Sequence, residues 1–416
     1  MEQNIYQKRK YISFPKITIC YIFIFLASIF WCISYYLIAT INPIKINQVD
    51  NINQDDIMNR ISFELHSIAI SQIFFIILYY VNLYLSNSES KLKYTFLENE
   101  EIISTDNTKI PDLLIRNKKC HFPLINFKTT LLIFILSFFH IIYIYILIVM
   151  RIKDYGIIDK IFLVGIFNFV IGTLIEKIYY KKTLGLHRII PFIYFSIMIP
   201  VYIFTIENKE ENKNKYLYFG KYKINKFVEY ILMMIGIFLM VIKNHFYNHF
   251  MVIKCINPFF ITFFNGLFSL ILTIIIFYLL EYNFDFSLLK GKIIIYIFYI
   301  IVLFLYFLFL TLSNYYISPT SCGLIFLFNN LFVSLIEKSN ISLFGIITLE
   351  SIWIIPLFLP TIFMSILYCE FIVFHFWSLD QQTKFVIEER GKIEDINTNK
   401  SVSSITYSID DILEEK

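Results

Sequence analysis

The sequence predicts an all-α integral membrane protein, with ten transmembrane helices arranged as two inverted-topology five-helix repeats. Three observations lead there. Of 416 residues, 57% are hydrophobic and 16% are charged, with mean hydropathy +0.65; soluble chains carry about 25% charged residues. The apolar residues fall in runs of about 20, the length a helix needs to cross ~30 Å of hydrocarbon. A segment of the first half also recurs in the second. This composition excludes a soluble enzyme, a nucleic-acid binder and a disordered scaffold. The net charge of +4 is too scattered to form a nucleic-acid face.

Residues 1–18 form a basic tail with Lys8, Arg9, Lys10 and Lys16. The first apolar run, 19–41, has no small-residue cleavage site and is read as a retained span. Further runs lie at 61–86, 128–150, 161–179, 188–206, 227–243, 257–281, 293–313, 318–337 and 346–376. The last is long enough to tilt, to kink at Pro356 and Pro360, or to run on into the cytosol. Lipid cannot hydrogen-bond the backbone, so these runs must be helices. They lack the alternation of a barrel strand. The expected organisation is a cytoplasmic tail (1–18), a first repeat (19–206), a polar connector (207–226), a second repeat (227–377) and a solvated acidic tail (378–416).

Lysine and arginine bias sets orientation. The N-terminal tail, Lys91 to Lys119 in the loop at 87–127, and Lys181, Lys182 and Arg188 put both termini on the cytoplasmic side. The connector, with six lysines from Lys209 to Lys226, opposes this. The six dispersed cysteines include no CxxC spacing, so neither a disulfide framework nor zinc is expected.

The repeat is seen by comparing IFNFVIGTLIEK, ending at Lys177, with LFNNLFVSLIEK, ending at Lys338. Phe167-Asn168 falls on Phe328-Asn329, Thr173 on Ser334, and Leu174 to Lys177 on Leu335 to Lys338. The register extends to Leu184-Gly185 on Phe344-Gly345 with one gap, to Pro200 on Pro360, and upstream to Tyr155 on Tyr316. A repeat unit of five spans is odd, so the second copy enters the membrane inverted. Secondary transporters are built this way.

Polar side chains inside the runs should face the bundle interior. Glu64, Ser67 and Ser71 share a face of the second run, with Gln72 beside them. Thr262, Asn265, Ser269 and Thr273 recur on one face of the seventh, with Gly266 next to Asn265. The ninth carries Asn329, Asn330, Ser334 and Glu337, the fourth Asn168 and Thr173, and the third Ser137 and His140. Serines and threonines in such places serve mostly as helix–helix contacts. Glu176, Glu337 and Glu370, near run ends, read as solvated interface residues. The amides Asn168, Asn265, Asn329 and Asn330 are candidates to line a substrate site. His140 reads as a packed histidine, and Glu64 as the candidate proton-coupling acid. No phosphate loop, metal spacing or nucleophile–base pair appears, so neither an enzyme nor a cofactor is expected.

With these motifs, the ten runs resemble the drug/metabolite transporter superfamily, and its nucleotide-sugar and triose-phosphate branch more closely. Asn257-Pro258 through Phe263-Phe264-Asn265-Gly266 looks like that branch's seventh helix. There a Phe-Tyr-Asn-Asn motif contacts nucleotide, and Phe263 and Asn265 carry over. Ser318-Pro319-Thr320-Ser321 leading into Leu327-Phe328-Asn329-Asn330 looks like its ninth helix, with a Gly-Ala-Leu-Asn-Lys motif. Asn329 matches the motif's asparagine, whereas Asn330 stands where its phosphate-facing lysine would be. A neutral amide holds a phosphate far less strongly than a buried cation. Interfacial Lys254 is the other candidate positive charge.

The expectation is a carrier of a small polar organic metabolite, such as a nucleotide sugar or sugar phosphate, working by alternating access. Asn168, Asn265, Asn329, Asn330, Ser318 and Thr320 would bind the solute by hydrogen bonds, and Phe264 would stack on a ring. Pro258 and Pro319, at the starts of the seventh and ninth helices, would let them flex as gates. Solute and bilayer are the partners expected, without nucleic acid, and a homodimer is admitted. The resemblance implies an endomembrane address, in the Golgi, endoplasmic reticulum or vacuole rather than the plasma membrane. A non-transporting receptor or scaffold is the alternative, with an intramembrane lipid-modifying enzyme behind it.

Overall fold

The computed structural model describes residues 12–13, 21–41, 54–84, 127–153, 157–179, 184–210, 217–219, 222–224, 226–252, 256–280, 291–325, 328, 349–374 and 383. Its helices are α1 (Tyr21–Ile41), α2 (Gln54–Ile73, resuming after a turn at Phe74 to end at Tyr84), α3 (Phe127–Lys153), α4 (Ile157–Ile178) and α5 (Leu186–Glu210). They continue as α6 (Lys226–Val252), α7 (Pro258–Leu279), α8 (Ile293–Tyr316) and α9 (Leu349–Tyr368). These correspond to the first eight apolar runs and the tenth. The ninth run is described only from its opening 3₁₀ turn, Thr320–Cys322, to Ile325, and at Phe328. Short strands add two antiparallel ribbons, β1 (Ile12–Ser13) with β4 (Val373–Phe374) and β2 (Leu217–Phe219) with β3 (Tyr222–Ile224). The connector thus holds a hairpin, and a residue pair from the basic tail lies in a ribbon.

Among the described residues, six helices are long and apolar enough to cross a membrane: α1, α2, α3, α6, α7 and α8. Their polarity is that of lipid-facing helices. On α7, Thr262, Asn265, Ser269 and Thr273 are buried, while Ile271, Ile274 and Ile275 are exposed. A water-soluble helix does the reverse. The chain is therefore a helical multi-pass membrane protein.

Two boundaries differ from the sequence reading. The tenth run ends as a helix at Tyr368, not at 376, because Glu370 takes φ +58 and the chain then enters β4. The sixth run continues beyond residue 243 to Val252. The polar string Lys243-Asn244-His245 lowers hydropathy there without ending the helix.

The chain divides into two compact units, one of residues 1–19, 176–198 and 346–416 and the other of 20–175 and 199–345. In the larger unit α1 packs on α8, α2 on α7 and α8, and α3 on α6 and α7. The directions follow from side-chain contacts. His66 meets Phe277 at 6.1 Å between ring centres and Tyr79 meets Phe260 at 5.0 Å, so α2 and α7 run antiparallel. Phe23 near Tyr316 (6.3 Å) and Trp31 near Tyr306 (4.7 Å) make α1 and α8 antiparallel. Ile146 against Gly236, and Ser137 beside Tyr247, do the same for α3 and α6. In contrast, α2 and α8 are parallel, with Phe63 on Tyr296 and Phe75 on Phe304. Lys292 Nζ closes the C-terminus of α1, donating to Thr40 O (3.2 Å) and Ile41 O (2.7 Å), where a cation complements the helix dipole. In the smaller unit α5 and α9 are antiparallel. Tyr194 and Thr361 hydroxyls lie 3.1 Å apart, and the Arg188 guanidinium lies over the Tyr368 ring at 5.5 Å.

Candidate functional site

Gly266 sets the geometry. A Cβ there would sit 2.6 Å from Gln72 Cβ and 2.9 Å from Ala69 O and Ile73 N, so only glycine lets α2 and α7 approach this closely. The close crossing brings neighbouring Asn265 within reach of three helices. Its Nδ2 donates to Gln72 Oε1 at 2.6 Å, and its Oδ1 accepts from the Tyr247 hydroxyl at 2.6 Å and the Ser137 hydroxyl at 3.2 Å. Gln72 Nε2 lies 3.4 Å from His140 Nε2. One buried amide thereby ties α2, α3, α6 and α7 together. In hydrocarbon such bonds have no water to compete with them.

Lys243 stands one turn before Tyr247 on α6, with Nζ 5.1 Å from that ring's centre, and is only 7% exposed. Because α6 continues to Val252, Lys243 lies inside the apolar span Ile231–Met251 instead of at its end. No carboxylate pairs with it among the described residues. His140 lies opposite it across the α3–α6 contact. His140 Nδ1 and the hydroxyl of Tyr143, one turn further along α3, are buried without hydrogen-bond partners. Neither Lys243 nor Tyr143 and Tyr247 is among the candidates the sequence offers. The polar string Lys243-Asn244-His245 looks like the end of an apolar run, and a tyrosine among 30 carries no signal of its own.

A second polar contact joins α4 to the start of the ninth run. Asn168 Nδ2 donates to Thr320 O at 3.1 Å, and its Oδ1 is buried without a partner. Glycine makes room on both sides. A Cβ on Gly323 would collide with Asn168, and one on Gly172 would lie 2.8 Å from Thr320 Oγ1. Asn168 pairs with the 323 side and Gly172 with Thr320, so these segments cross antiparallel. Asn329, Asn330, Glu337 and Lys254 lie outside the described residues.

The remaining candidates have ordinary partners. The Ser318 hydroxyl lies 2.8 Å from that of Ser321 and accepts from Ser321 N at 3.1 Å, capping the 3₁₀ turn. Pro319 precedes that turn. Pro258 opens α7, where Asn257 Oδ1 accepts from Phe259 N at 2.9 Å. A proline at a helix start forfeits no intrahelical bond, so neither proline breaks a helix. Phe264 is half-buried in an aromatic ladder, 4.7 Å from Phe260 and 5.5 Å from Phe268. Glu64 is buried and paired with Arg60 at 3.1 Å, one turn away. Ser67, Ser71 and Thr173 turn back onto Phe63 O, Ile68 O and Phe169 O, each at 2.7 Å, and Ser67 also hydrogen-bonds Tyr296 of α8. An apolar groove of about 590 Å³ between α2 and α8, lined by Ile70, Phe74, Ile77, Ile297, Ile301 and Phe304, offers a polar solute nothing to bind.

In the smaller unit, Glu176 and Glu370 are buried rather than solvated, correcting the sequence reading. Arg188 joins them, with Nη1 2.8 Å from Glu176 Oε2 and Nη2 3.4 Å from Glu370 Oε1. His187 Nε2 lies 3.1 Å from the same Glu370 oxygen. Arg188, counted among the orienting surface charges, is instead the centre of an ion cluster linking α4, α5 and the chain beyond α9.

No protein-family model matches the chain, and no curated protein matches it.

Proposed function

We propose that the protein is a secondary transporter of a small polar organic metabolite, built and operated like the drug/metabolite transporters its motifs resemble. In this reading the two five-span halves are copies related by a pseudo-two-fold axis in the membrane plane. They rock to expose a midspan polar site to one side and then the other.

The observation that carries the reading is the pattern of helix partners. Advance each run by five and the pairs map onto one another. The first run on the eighth becomes the sixth on the third; the second on the eighth becomes the seventh on the third. The self-related pairs recur as well: second with seventh, fourth with ninth, fifth with tenth. Each self-related pair is antiparallel, as an inverted repeat requires. In this reading Lys243, His140, Asn265 and Gln72 would line the solute site. One observation favours a non-transporting scaffold, because Asn265 already spends its hydrogen bonds within the bundle.

Flux into proteoliposomes decides between them. The reconstituted protein is expected to give saturable uptake of at least one among sugars, sugar phosphates, nucleotide sugars, amino acids and organic acids, and Asn265→Ala and Asn168→Ala to reduce it. Uptake equal to that of protein-free liposomes across the panel would sink the transport reading, and unchanged uptake by both variants would remove the site.

A further inference from the structure

Burying an ammonium group in a low-dielectric interior costs several kcal/mol unless a counter-charge or polar groups replace its water. Lys243 is buried at midspan with no carboxylate partner among the described residues, and the face of Tyr247 at 5.1 Å is a weak substitute. On the facing helix His140, opposite it, has a buried and unpartnered Nδ1, and the Tyr143 hydroxyl one turn further along α3 is buried and unpartnered as well. Two helices that pack on each other thus carry three polar groups with unmet capacity, whereas the Asn265 amide bonded to Tyr247 has its hydrogen bonds filled. Intramembrane ionisable groups of this kind mark solute paths.

We infer that Lys243, with His140 and Tyr143, binds an anion carrying one negative charge, of the carboxylate class. Charge matching selects the class. One ammonium neutralises one carboxylate, and the Tyr143 hydroxyl and the imidazole of His140 add hydrogen bonds to its oxygens. A pyrophosphate group would leave charge uncompensated in a low-dielectric site, and that costs as much as the unpaired lysine did. The inference departs from the nucleotide-sugar cargo that the sequence motifs imply, and it rests on the transport reading only for its physiological meaning.

The test uses full-length protein in neutral detergent, with melting temperature measured against lactate, benzoate, palmitate, inorganic phosphate and UDP-glucose. A ligand that binds the folded form raises the melting temperature by mass action. At least one monocarboxylate should raise it more than UDP-glucose or phosphate does. That shift should vanish in Lys243→Met, with affinity at least tenfold weaker, survive in Lys243→Arg and shrink in Tyr143→Phe. The lactate and palmitate arms separate a water-soluble solute from a lipid headgroup. No shift with any monocarboxylate, a larger shift with UDP-glucose, or a carboxylate shift that persists in Lys243→Met overturns the inference. If the methionine variant does not fold, Tyr143→Phe carries the test, and undiminished carboxylate affinity there overturns it. Carboxylate binding that depends on Lys243 but comes with no flux removes the transport reading and leaves the site. Saturable flux with no carboxylate shift in melting temperature does the opposite.

Discussion

A single hydrogen atom at position 266 decides how closely two membrane helices meet. Gly266→Val would push side-chain carbons into Gln72 and into the backbone at Ala69 and Ile73, which cannot give way as a flexible side chain could. Overpacking of this kind costs about 1–3 kcal/mol, so a lower melting temperature in detergent and weakened α2–α7 packing are expected. Removing the Tyr247 hydroxyl should be milder. It leaves Asn265 Oδ1 with Ser137 alone, and intramembrane hydrogen bonds are worth about 0.6 kcal/mol on average. Tyr247→Phe should therefore destabilise slightly, whereas Asn265→Leu, which strands Gln72 as well, should cost distinctly more. Paired thermal unfolding of the two variants checks the order. The amide's inward position was legible from the spacing of Thr262, Asn265, Ser269 and Thr273. Its partners were not, because nothing in the sequence says which neighbouring helix faces that stripe.

Helix α6 shows why hydropathy misplaces an end: Lys243-Asn244-His245 looks like the exit from a membrane, yet backbone hydrogen bonding runs on to Val252. Polar residues can stay in a span when neighbouring helices cover them. The same blind spot hid the Arg188 cluster. Acidic residues near run ends usually meet water, but Glu176 and Glu370 are held out of it by one guanidinium. Removing one partner of a buried pair strands the other charge, at about 3–5 kcal/mol. Arg188→Met is thus expected to be severely destabilising, read as loss of folded protein in size-exclusion chromatography. In the double variant Glu176→Gln with Glu370→Gln, removing both charges with the cation should recover much of that loss when combined with Arg188→Met.

For the whole molecule, the partner pattern makes a geometric prediction. An ideal Cβ on Gly172 lies 3.2 Å from Thr320 Cβ, close to the ~3.5–4.5 Å of a disulfide. In a background cleared of native cysteines, Gly172→Cys with Thr320→Cys should cross-link under mild oxidation, seen as a reducible change in gel mobility. If α4 and the ninth segment separate during transport, the oxidised protein should also lose uptake and regain it on reduction. An efficient cross-link with unaltered flux would mean that this pair stays closed throughout the cycle.

What the sequence determined by itself was the solvent. Runs of about 20 apolar residues admit only helices in lipid, and each helix needs no distant partner to satisfy its backbone. That is why most elements, and the inward faces of α2 and α7, could be read along the chain. Which helices meet, that Lys243 lies at midspan opposite His140, and that Arg188 joins two acids 12 and 182 residues away along the chain were decided only in three dimensions. Burial and ion pairing depend on contacts between distant segments, and local periodicity holds no record of them.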